Sequence, residues 1–399
     1  MPNVQAPVDD EPLDSGRRRH RSAAAPERAG GAVARGLHGR VRVARHGSVA
    51  SRVERWCGTW RAALTCRSSL GNGDRGVSRT AATVDAMMIT DEDCLAETLA
   101  FNREFEARAA SRPARGKAPD AAGLAALRRN RLGGDTPPVR LPQGQDRIVA
   151  QGVKVRAFVP PGRVEGVYLH FHGGGWVFGS ACGQDARLWR LARQARLAVV
   201  SVDYRLAPEH PFPAGPEDCE AAARWLVENA AGEFGTRRLL IGGESAGAHL
   251  GVVTLLRLRD RHGITGGFRA AHLLFGPYDL SMTPSQRAFG SRRLLSNTDT
   301  LRRTYDLFTP GMTAEARRDC GISPLFADLS GLPPARIVVG TEDPLLDDSL
   351  FLAARWRAAG APVQLGVVAG AMHGFTLFPL TVTAREQRRE RDFLSTAGQ

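Results

Sequence analysis

Lysine is nearly absent from this chain of 399 residues. It occurs only at Lys117 and Lys154, so arginine supplies almost all of the 54 basic side chains and of the formal net charge of +13. Arginine-rich usage together with abundant alanine and glycine is typical of a GC-rich genome. Because aromatic residues are not interleaved with the basic ones in the pattern of a nucleic-acid surface, we expect no nucleic-acid partner.

Long apolar runs are missing as well. No stretch of about 18 uninterrupted apolar residues occurs, which excludes a helix that spans a bilayer. The six cysteines lack the C-x-x-C and C-x-x-H spacings of zinc sites and do not form the framework of a small disulfide-rich protein. We therefore expect a cytoplasmic protein with reduced thiols, no metal, no organic cofactor and no membrane partner. The cysteines are Cys57, Cys66, Cys94, Cys182, Cys219 and Cys320.

The first 86 residues lack periodicity and have few large aliphatic side chains. They carry 15 arginines against 8 acidic residues, including the run Arg17-Arg18-Arg19. This composition predicts disorder. A twin-arginine export signal is disfavoured because Pro26, Glu27 and other polar residues interrupt the segment that would have to be apolar.

A translation artefact is an alternative explanation of residues 1–86. The paired Met87 and Met88 directly precede Thr90-x-x-Asp93, a pattern that starts helices. The hypothesis is that residues 1–86 are a mis-assigned extension and that the working protein begins at Met87 or Met88. The intact mass of the native protein tests this, since a species that retains residues 1–86 would refute it.

Strands and helices alternate from about Asp146 to the C-terminus. Because such alternation is typical of a mainly parallel sheet covered by helices, we predict an α/β fold with eight strands and functional loops at their C-terminal edge. The predicted strands are Arg147–Gln151, Val153–Val159, Val167–Phe171, Ala198–Val202, Arg238–Gly242, Ala271–Phe275, Arg336–Gly340 and Val363–Val368. The predicted helices between and after them are Asp185–Gln194, Pro216–Asn229, Ala246–Arg259, Leu345–Ala359 and Leu380–Phe393.

Two further regions are predicted to contribute to a helical cap. Helices near Thr90–Ala109 and Ala121–Arg131, within residues 87–145, either fold over the mouth of the sheet or pack at its side. The alternation of strands and helices is interrupted at about 280–332, where the apolar residues Leu301, Tyr305 and Phe308 recur at helical spacing. We interpret this region as a cap insertion into an α/β domain that spans residues 146–399.

The sequence Gly243-Glu244-Ser245-Ala246-Gly247 joins a predicted strand to a predicted helix. A sharp corner of this kind leaves no room for Cβ atoms at its flanks and presents the serine at its apex. The free N–H groups of the helix that starts at Ala246 point toward any oxyanion formed at the serine. The pattern alone is weak evidence in a chain with 44 glycines, so its context has to support it.

A second motif, His172-Gly173-Gly174-Gly175-Trp176, comes directly after another predicted strand. Consecutive glycines let backbone N–H groups approach a ligand closely, so this loop can supply hydrogen-bond donors for an oxyanion. A histidine and three glycines in a row rarely occur by chance.

These motifs resemble those of the hormone-sensitive-lipase-like group (family IV) of α/β-hydrolase carboxylesterases. They occur in family order between Tyr168 and Phe375. The matching segments are His172–Trp176, Asp203–Ala214, Gly243–Gly247, Asp343–Asp348 and His373–Phe375.

The resemblance implies an α/β-hydrolase fold and a catalytic triad. It implies Ser245 as the nucleophile, His373 as the base and Asp343 as the acid that orients the base, and the chain order Ser, Asp, His agrees with that fold. Asp347 and Asp348 remain alternative acids, although both fall in the following helix. The oxyanion hole implied by the resemblance comprises the N–H groups of Gly173, Gly174, Gly175 and Ala246.

The other polar residues near these motifs are interpreted as structural. They are His170, His210, His249 and Glu244. The motif His172–Trp176 is called the glycine loop below. The proline-rich segment Asp203–Ala214 is expected to support the glycine loop without taking part in the chemistry.

The resemblance implies hydrolysis of short- to medium-chain acyl esters through an acyl-enzyme. Hydrolysis of amides or lactones would use the same site, and a ligand-binding protein without turnover would keep the same pocket. The expected partner is a small ester substrate, and a homodimer is possible.

Overall fold

The computed structural model describes residues 86–89, 92–111, 128 and 140–399. Within these residues the strands and helices, in chain order, are β1 (Ala86–Ile89), α1 (Glu92–Ala110), β2 (Gly144–Ile148), β3 (Lys154–Phe158), β4 (Gly166–Phe171), α2 (Asp185–Ala195), β5 (Leu197–Val202), α3 (Ala214–Phe234), β6 (Leu239–Glu244), α4 (Ala246–His262), β7 (Ala270–Leu274), α5 (Pro284–Ala288), α6 (Thr298–Phe308), β8 (Ala335–Glu342), α7 (Leu346–Ala358), β9 (Val363–Met372) and α8 (Thr381–Thr396).

All described strands form one sheet with the order β1-β9-β8-β7-β6-β4-β5-β3-β2. The pairs from β1 across to β5 are parallel, whereas β3 pairs antiparallel with both β5 and β2. Each of the eight predicted strands has a counterpart here, so the predicted mainly parallel α/β sheet is confirmed.

The ninth strand, β1, lies at the edge of the sheet. It pairs in parallel with β9, and Met87 lies opposite Gly366. No sequence pattern predicts this strand, because four residues are too few for a period-2 alternation to be recognised. Residues 1–85, for which disorder or a mis-assigned extension is expected, lie outside the described residues.

The central strands are apolar because both faces of the sheet are covered. Every residue of β4, β5 and β6 is buried, which is the pattern of strands that lie between two layers of helices. The five helices predicted between and after the strands are present as α2, α3, α4, α7 and α8, with ends that shift by a few residues. No helix in the described ranges is both long and apolar enough to cross a membrane.

The cap prediction for residues 280–332 corresponds to α5, α6 and the loops around them. Helix α6 begins at a capping box in which Asn297 and Thr300 exchange hydrogen bonds between side chain and backbone. Its predicted apolar stripe is buried, with Phe308 stacked on Trp176 at a centroid distance of 4.4 Å. The helix therefore packs against the glycine loop.

Helix α1 packs near the C-terminal end of β9. The side-chain amide of Asn102 donates to the carbonyl oxygen of Gly370 at 2.9 Å, and Phe101 and Phe105 contact Phe378. The predicted helix Ala121–Arg131 lies outside the described residues except for Arg128, which is helical. Arg128 donates to the carbonyl oxygens of Val177 and Ala207 and pairs with Glu209.

Candidate active site

Ser245 occupies a sharp corner between β6 and α4. Its backbone has φ 55° and ψ −121°, a conformation that non-glycine residues rarely adopt. The Ser245 N–H donates to the carbonyl oxygen of Leu274 at 2.8 Å, and the Ser245 carbonyl accepts from His249 N at 3.2 Å. These bonds hold a strained residue at the C-terminal edge of the sheet, where its hydroxyl projects from the turn.

Gly243 and Gly247 are required by close backbone packing. A Cβ on Gly247 would lie 1.9 Å from the carbonyl oxygen of Phe171, and a Cβ on Gly243 would lie 2.1 Å from the same oxygen. The start of α4 therefore touches the end of β4 directly. Because the glycine loop begins where β4 ends, this contact places that loop beside Ser245.

Three side chains from distant segments meet at this edge of the sheet. Ser245 Oγ lies 3.0 Å from Nε2 of His373, and Nδ1 of His373 lies 2.9 Å and 3.1 Å from the two carboxylate oxygens of Asp343. His373 and Asp343 are 7% and 2% exposed, so little water competes for these bonds. With Nδ1–H donated to Asp343, Nε2 is free to accept the serine proton.

The two alternative acids point elsewhere. Asp347 accepts the N–H of Ser285 at 2.7 Å. Asp348 is fully buried and accepts hydrogen bonds of 2.7 to 2.9 Å from the backbone N–H groups of Tyr278 and Asp279 and from two side chains. Its burial raises the pKa of Asp348 to about 7, against the effect of these hydrogen bonds. Both carboxylates secure the loop after β7, and Asp343 is the one that contacts His373.

The glycine loop turns sharply over Ser245. Gly174 and Gly175 have φ of 134° and 61°, values that favour glycine. Within the described part of the chain their N–H groups have no hydrogen-bond partner, and Ala246, the first residue of α4, has no intrahelical acceptor for its own N–H. These three N–H groups are available to a ligand.

Gly173 does not belong to this set, which corrects the expectation for the oxyanion hole. Its N–H donates to Oε1 of Glu244 at 2.8 Å, so the donor is already used within the protein. The three-glycine pattern could not reveal this, because the partner is a side chain 71 residues further along the chain.

The proline-rich segment after β5 supports the glycine loop as predicted. Tyr204 stacks on the ring of His172 and donates its hydroxyl to the His172 carbonyl oxygen at 2.7 Å. Further along, Ala207 N donates to the Trp176 carbonyl oxygen at 2.9 Å. Both ends of the loop are thus held by the same segment.

Three histidines are predicted to be structural, namely His170, His210 and His249. His170 is buried between Ser201 and Glu244, and His210 is exposed at the surface. His249 accepts from Trp176 Nε1 at 3.2 Å and donates to the Ile322 carbonyl oxygen at 2.8 Å. Burial lowers the pKa of His249 to about 4, so its ring is neutral at pH 7.

The motif Gly243–Gly247 does not predict the contacts that the Glu244 carboxylate makes. Burial alone would raise the pKa of its carboxyl group, but His170 and Arg187 favour the charged form, and the pKa of Glu244 falls to about 2. The sequence does contain a signal for these contacts. A carboxylate at the end of a buried strand, directly before the serine, needs hydrogen-bond or charged partners because a buried charge without them is unfavourable.

Comparison with known proteins gives a consistent result. A family model described as the α/β hydrolase fold matches residues 168–377. Carboxylesterase NlhH of Mycobacterium tuberculosis is 36% identical over 271 residues, which cover 64% of this chain and 83% of that protein. Carboxylic ester hydrolase LipN of the same species is 39% identical over 222 residues, which cover 53% of this chain and 58% of that protein.

Solved structures extend the similarity to three dimensions. A hormone-sensitive lipase from a metagenome library matches with a TM-score of 0.64 and 30% identity over 75% of this chain and 97% of that chain. A hyperthermophilic esterase from Pyrobaculum calidifontis matches with a TM-score of 0.60 and 26% identity over 75% of this chain and 93% of that chain. The chain therefore belongs to the α/β-hydrolase fold family and, within it, to the hormone-sensitive-lipase-like carboxylic ester hydrolases.

Proposed function

We propose that this protein hydrolyses acyl esters through an acyl-enzyme formed on Ser245. The observation that carries the proposal is the uninterrupted contact from Ser245 Oγ through the His373 ring to the Asp343 carboxylate, with distances of 3.0 and 2.9 Å. A serine hydroxyl needs an adjacent base of this kind to act as a nucleophile.

The reaction takes two steps. Ser245 Oγ attacks the ester carbonyl carbon while His373 Nε2 takes its proton, and Asp343 stabilises the imidazolium without being protonated. The C–O bond to the alcohol then breaks, and the alcohol leaves with the proton from His373. Water, activated by the same base, attacks the acyl-enzyme, and the carboxylic acid is released as Ser245 recovers its proton.

The N–H groups of Gly174, Gly175 and Ala246 are proposed to bind the oxyanion of each tetrahedral intermediate. They come from a loop and a helix start that are fixed against each other by the contact between Phe171 and Gly247. Donors held in place before the reaction need no reorganisation when negative charge develops on the oxygen.

Short- to medium-chain esters are the proposed substrates. The cap approaches the site from two sides: a Cβ on Gly175 would lie 2.8 Å from Thr304 Cγ2, and a Cβ on Gly374 would lie 2.5 Å from Leu295 Cδ2. Thr304 therefore lies next to the glycine loop, and Leu295 lies next to the residue that follows His373. Ethyl acetate hydrolase of Pseudomonas putida, 35% identical over 211 residues, is a relative named for a small ester.

Kinetics of Ser245→Ala test the proposal. On p-nitrophenyl esters from acetate to palmitate, the wild type is expected to prefer the shorter chains, and Ser245→Ala is expected to lose at least about 10⁴-fold in kcat. Ser330→Ala removes an exposed serine hydroxyl and serves as the matched control. Substantial turnover by Ser245→Ala would refute the nucleophile, and a preference for palmitate would refute the chain-length proposal.

A further inference from the structure

The Glu244 carboxylate connects the strand that carries the nucleophile to the glycine loop. Glu244 ends β6, and its side chain is only 7% exposed. Oε1 accepts the Gly173 N–H at 2.8 Å and also the side-chain amide of Gln184, while Oε2 faces Nε2 of His170 at 3.0 Å. Three residues between positions 170 and 184 are thus tied to the residue directly before Ser245.

The Gly173 hydrogen bond matters because Gly173 directly precedes two of the proposed oxyanion donors. Gly174 and Gly175 are the next two residues of the chain, and the Gly174 carbonyl oxygen accepts from the N–H groups of Val177 and Phe178 at 3.2 and 3.0 Å. The loop is held downstream at Trp176 and upstream at His172. At the first glycine itself, His172 Nδ1 lies 2.9 Å from the Gly173 carbonyl oxygen, and Glu244 binds the Gly173 N–H. A shift of Gly173 would therefore move both neighbouring N–H groups relative to Ser245.

The Glu244 carboxylate belongs to a buried network of polar side chains. His170 Nε2 donates to the carboxylate and His170 Nδ1 faces Ser201 Oγ at 3.1 Å. Arg187 donates to Gln184 at 3.3 Å and pairs with Glu390 at 2.6 Å, so one arginine lies in this buried network beside two carboxylates. The pKa of Glu244 is lowered by His170 and Arg187, which favours its charged form as a hydrogen-bond acceptor for Gly173.

We propose that Glu244 is a positioning residue for ester hydrolysis: by accepting the Gly173 N–H it holds Gly174 and Gly175 at the distance from Ser245 that the transition state requires. The inference rests on the proposed function, because it concerns the oxyanion donors assigned there. Since the contact acts through donor geometry, it should affect the transition state more than the bound substrate.

Glu244→Ala and Glu244→Gln separate hydrogen bonding from charge. Alanine removes the acceptor, and kcat is expected to fall about 100-fold, as for a misplacement of about 1 Å, with KM changed by less than about 3-fold. Affinity for a boronic acid transition-state analogue should fall in parallel with kcat/KM. Glutamine keeps Oε1 for Gly173 and Gln184, and its amide can donate to His170 if that ring protonates at Nδ1, so kcat should stay within about 5-fold of the wild type.

Glu386→Ala is the matched control for loss of a buried carboxylate. Glu386 is 1% exposed and pairs with Arg336 on the face of the sheet covered by α8. This variant is expected to lower the melting temperature but to keep wild-type kcat. If Glu244→Ala does not accumulate as folded protein, Gln184→Ala takes its place, and loss of one bond to the carboxylate should lower kcat about 5-fold at constant KM.

Three results would overturn the inference. The first is a wild-type kcat in Glu244→Ala, or in Gln184→Ala where that variant takes its place. The second is a loss of kcat no larger than that of Glu386→Ala, and the third is equal loss of kcat in Glu244→Gln and Glu244→Ala. Ser245→Ala is measured in parallel. If Ser245→Ala retains activity, the proposed function fails; if it is inactive while Glu244→Ala is normal, only the role of Glu244 fails.

Discussion

Gly247→Ala is predicted to impair the enzyme through backbone geometry alone. The added Cβ would lie 1.9 Å from the carbonyl oxygen of Phe171, whereas side-chain Cβ atoms do not approach other atoms closer than about 3.0 Å. Because the obstacle is backbone and not a flexible side chain, the start of α4 and the end of β4 must separate by about 1 Å.

The separation acts on both halves of the site. Ser245 moves with α4 and the glycine loop moves with β4, so the nucleophile is displaced from the proposed oxyanion donors. A displacement of this size costs about 100-fold in rate, and overpacking costs roughly 1–3 kcal/mol of unfolding free energy. Gly247→Ala should therefore lose about 100-fold in kcat/KM for a short p-nitrophenyl ester and unfold at lower urea concentration.

Gly251→Ala is the control, one turn later on the same helix. Its Cβ would lie 3.3 Å from the flexible end of the Leu273 side chain, a contact that can relax. Both variants gain similar helix propensity, about 1 kcal/mol at most. Gly251→Ala should keep kcat/KM within about 3-fold of the wild type. Retention of more than about a tenth of wild-type activity by Gly247→Ala would refute the steric reasoning.

Three further predictions concern the acid, the cap and acid stability. Asp343→Asn should lower kcat by about 10⁴-fold because His373 loses its orienting acceptor, whereas Asp347→Asn should keep wild-type kcat; equal losses would contradict the assignment of the acid. Phe308→Ala, which removes a fully buried ring stacked on Trp176, should lower the unfolding free energy by about 3–5 kcal/mol in urea titrations, and the exposed Phe351→Ala should change it by less than about 1 kcal/mol. Since the pKa of His249 falls from 6.5 to about 4 on folding, the unfolded chain binds the extra proton, and His249 should contribute a decrease of roughly 3 kcal/mol in the unfolding free energy as pH drops from 6.5 to 4. Asp348, whose pKa is raised to about 7 by burial, acts in the opposite direction over the same range, so the contribution of His249 is measured as the difference between the wild type and His249→Gln at each pH. The same pH dependence in both proteins would exclude this contribution.

The sheet and the loops after its strands could be predicted from the sequence. Buried strands such as β4 and β6 are continuous apolar runs, and each leads into a loop rich in glycine or polar residues, so the order of the elements and the edge that carries the site can be derived directly. The apolar spacing of Leu301, Tyr305 and Phe308 likewise indicated helix α6, and its role in a cap stays a prediction.

Features that depend on contacts between distant segments could not be predicted in this way. β1 is too short to show a period, and its pairing with β9 is a tertiary contact. The use of the Gly173 N–H by Glu244 depends on how two loops approach each other. Asp343, Asp347 and Asp348 lie close together in the chain, so spacing leaves three candidate acids, and the distance to His373 distinguishes them.

Labelling by a fluorophosphonate probe, with peptide mapping of the adduct, tests the central proposal most directly. The account predicts one adduct per chain, located on Ser245, with loss of ester hydrolysis in proportion to labelling and no adduct on Ser245→Ala. An adduct on a different residue that tracks the loss of activity, or full hydrolysis by protein labelled at Ser245, would contradict it.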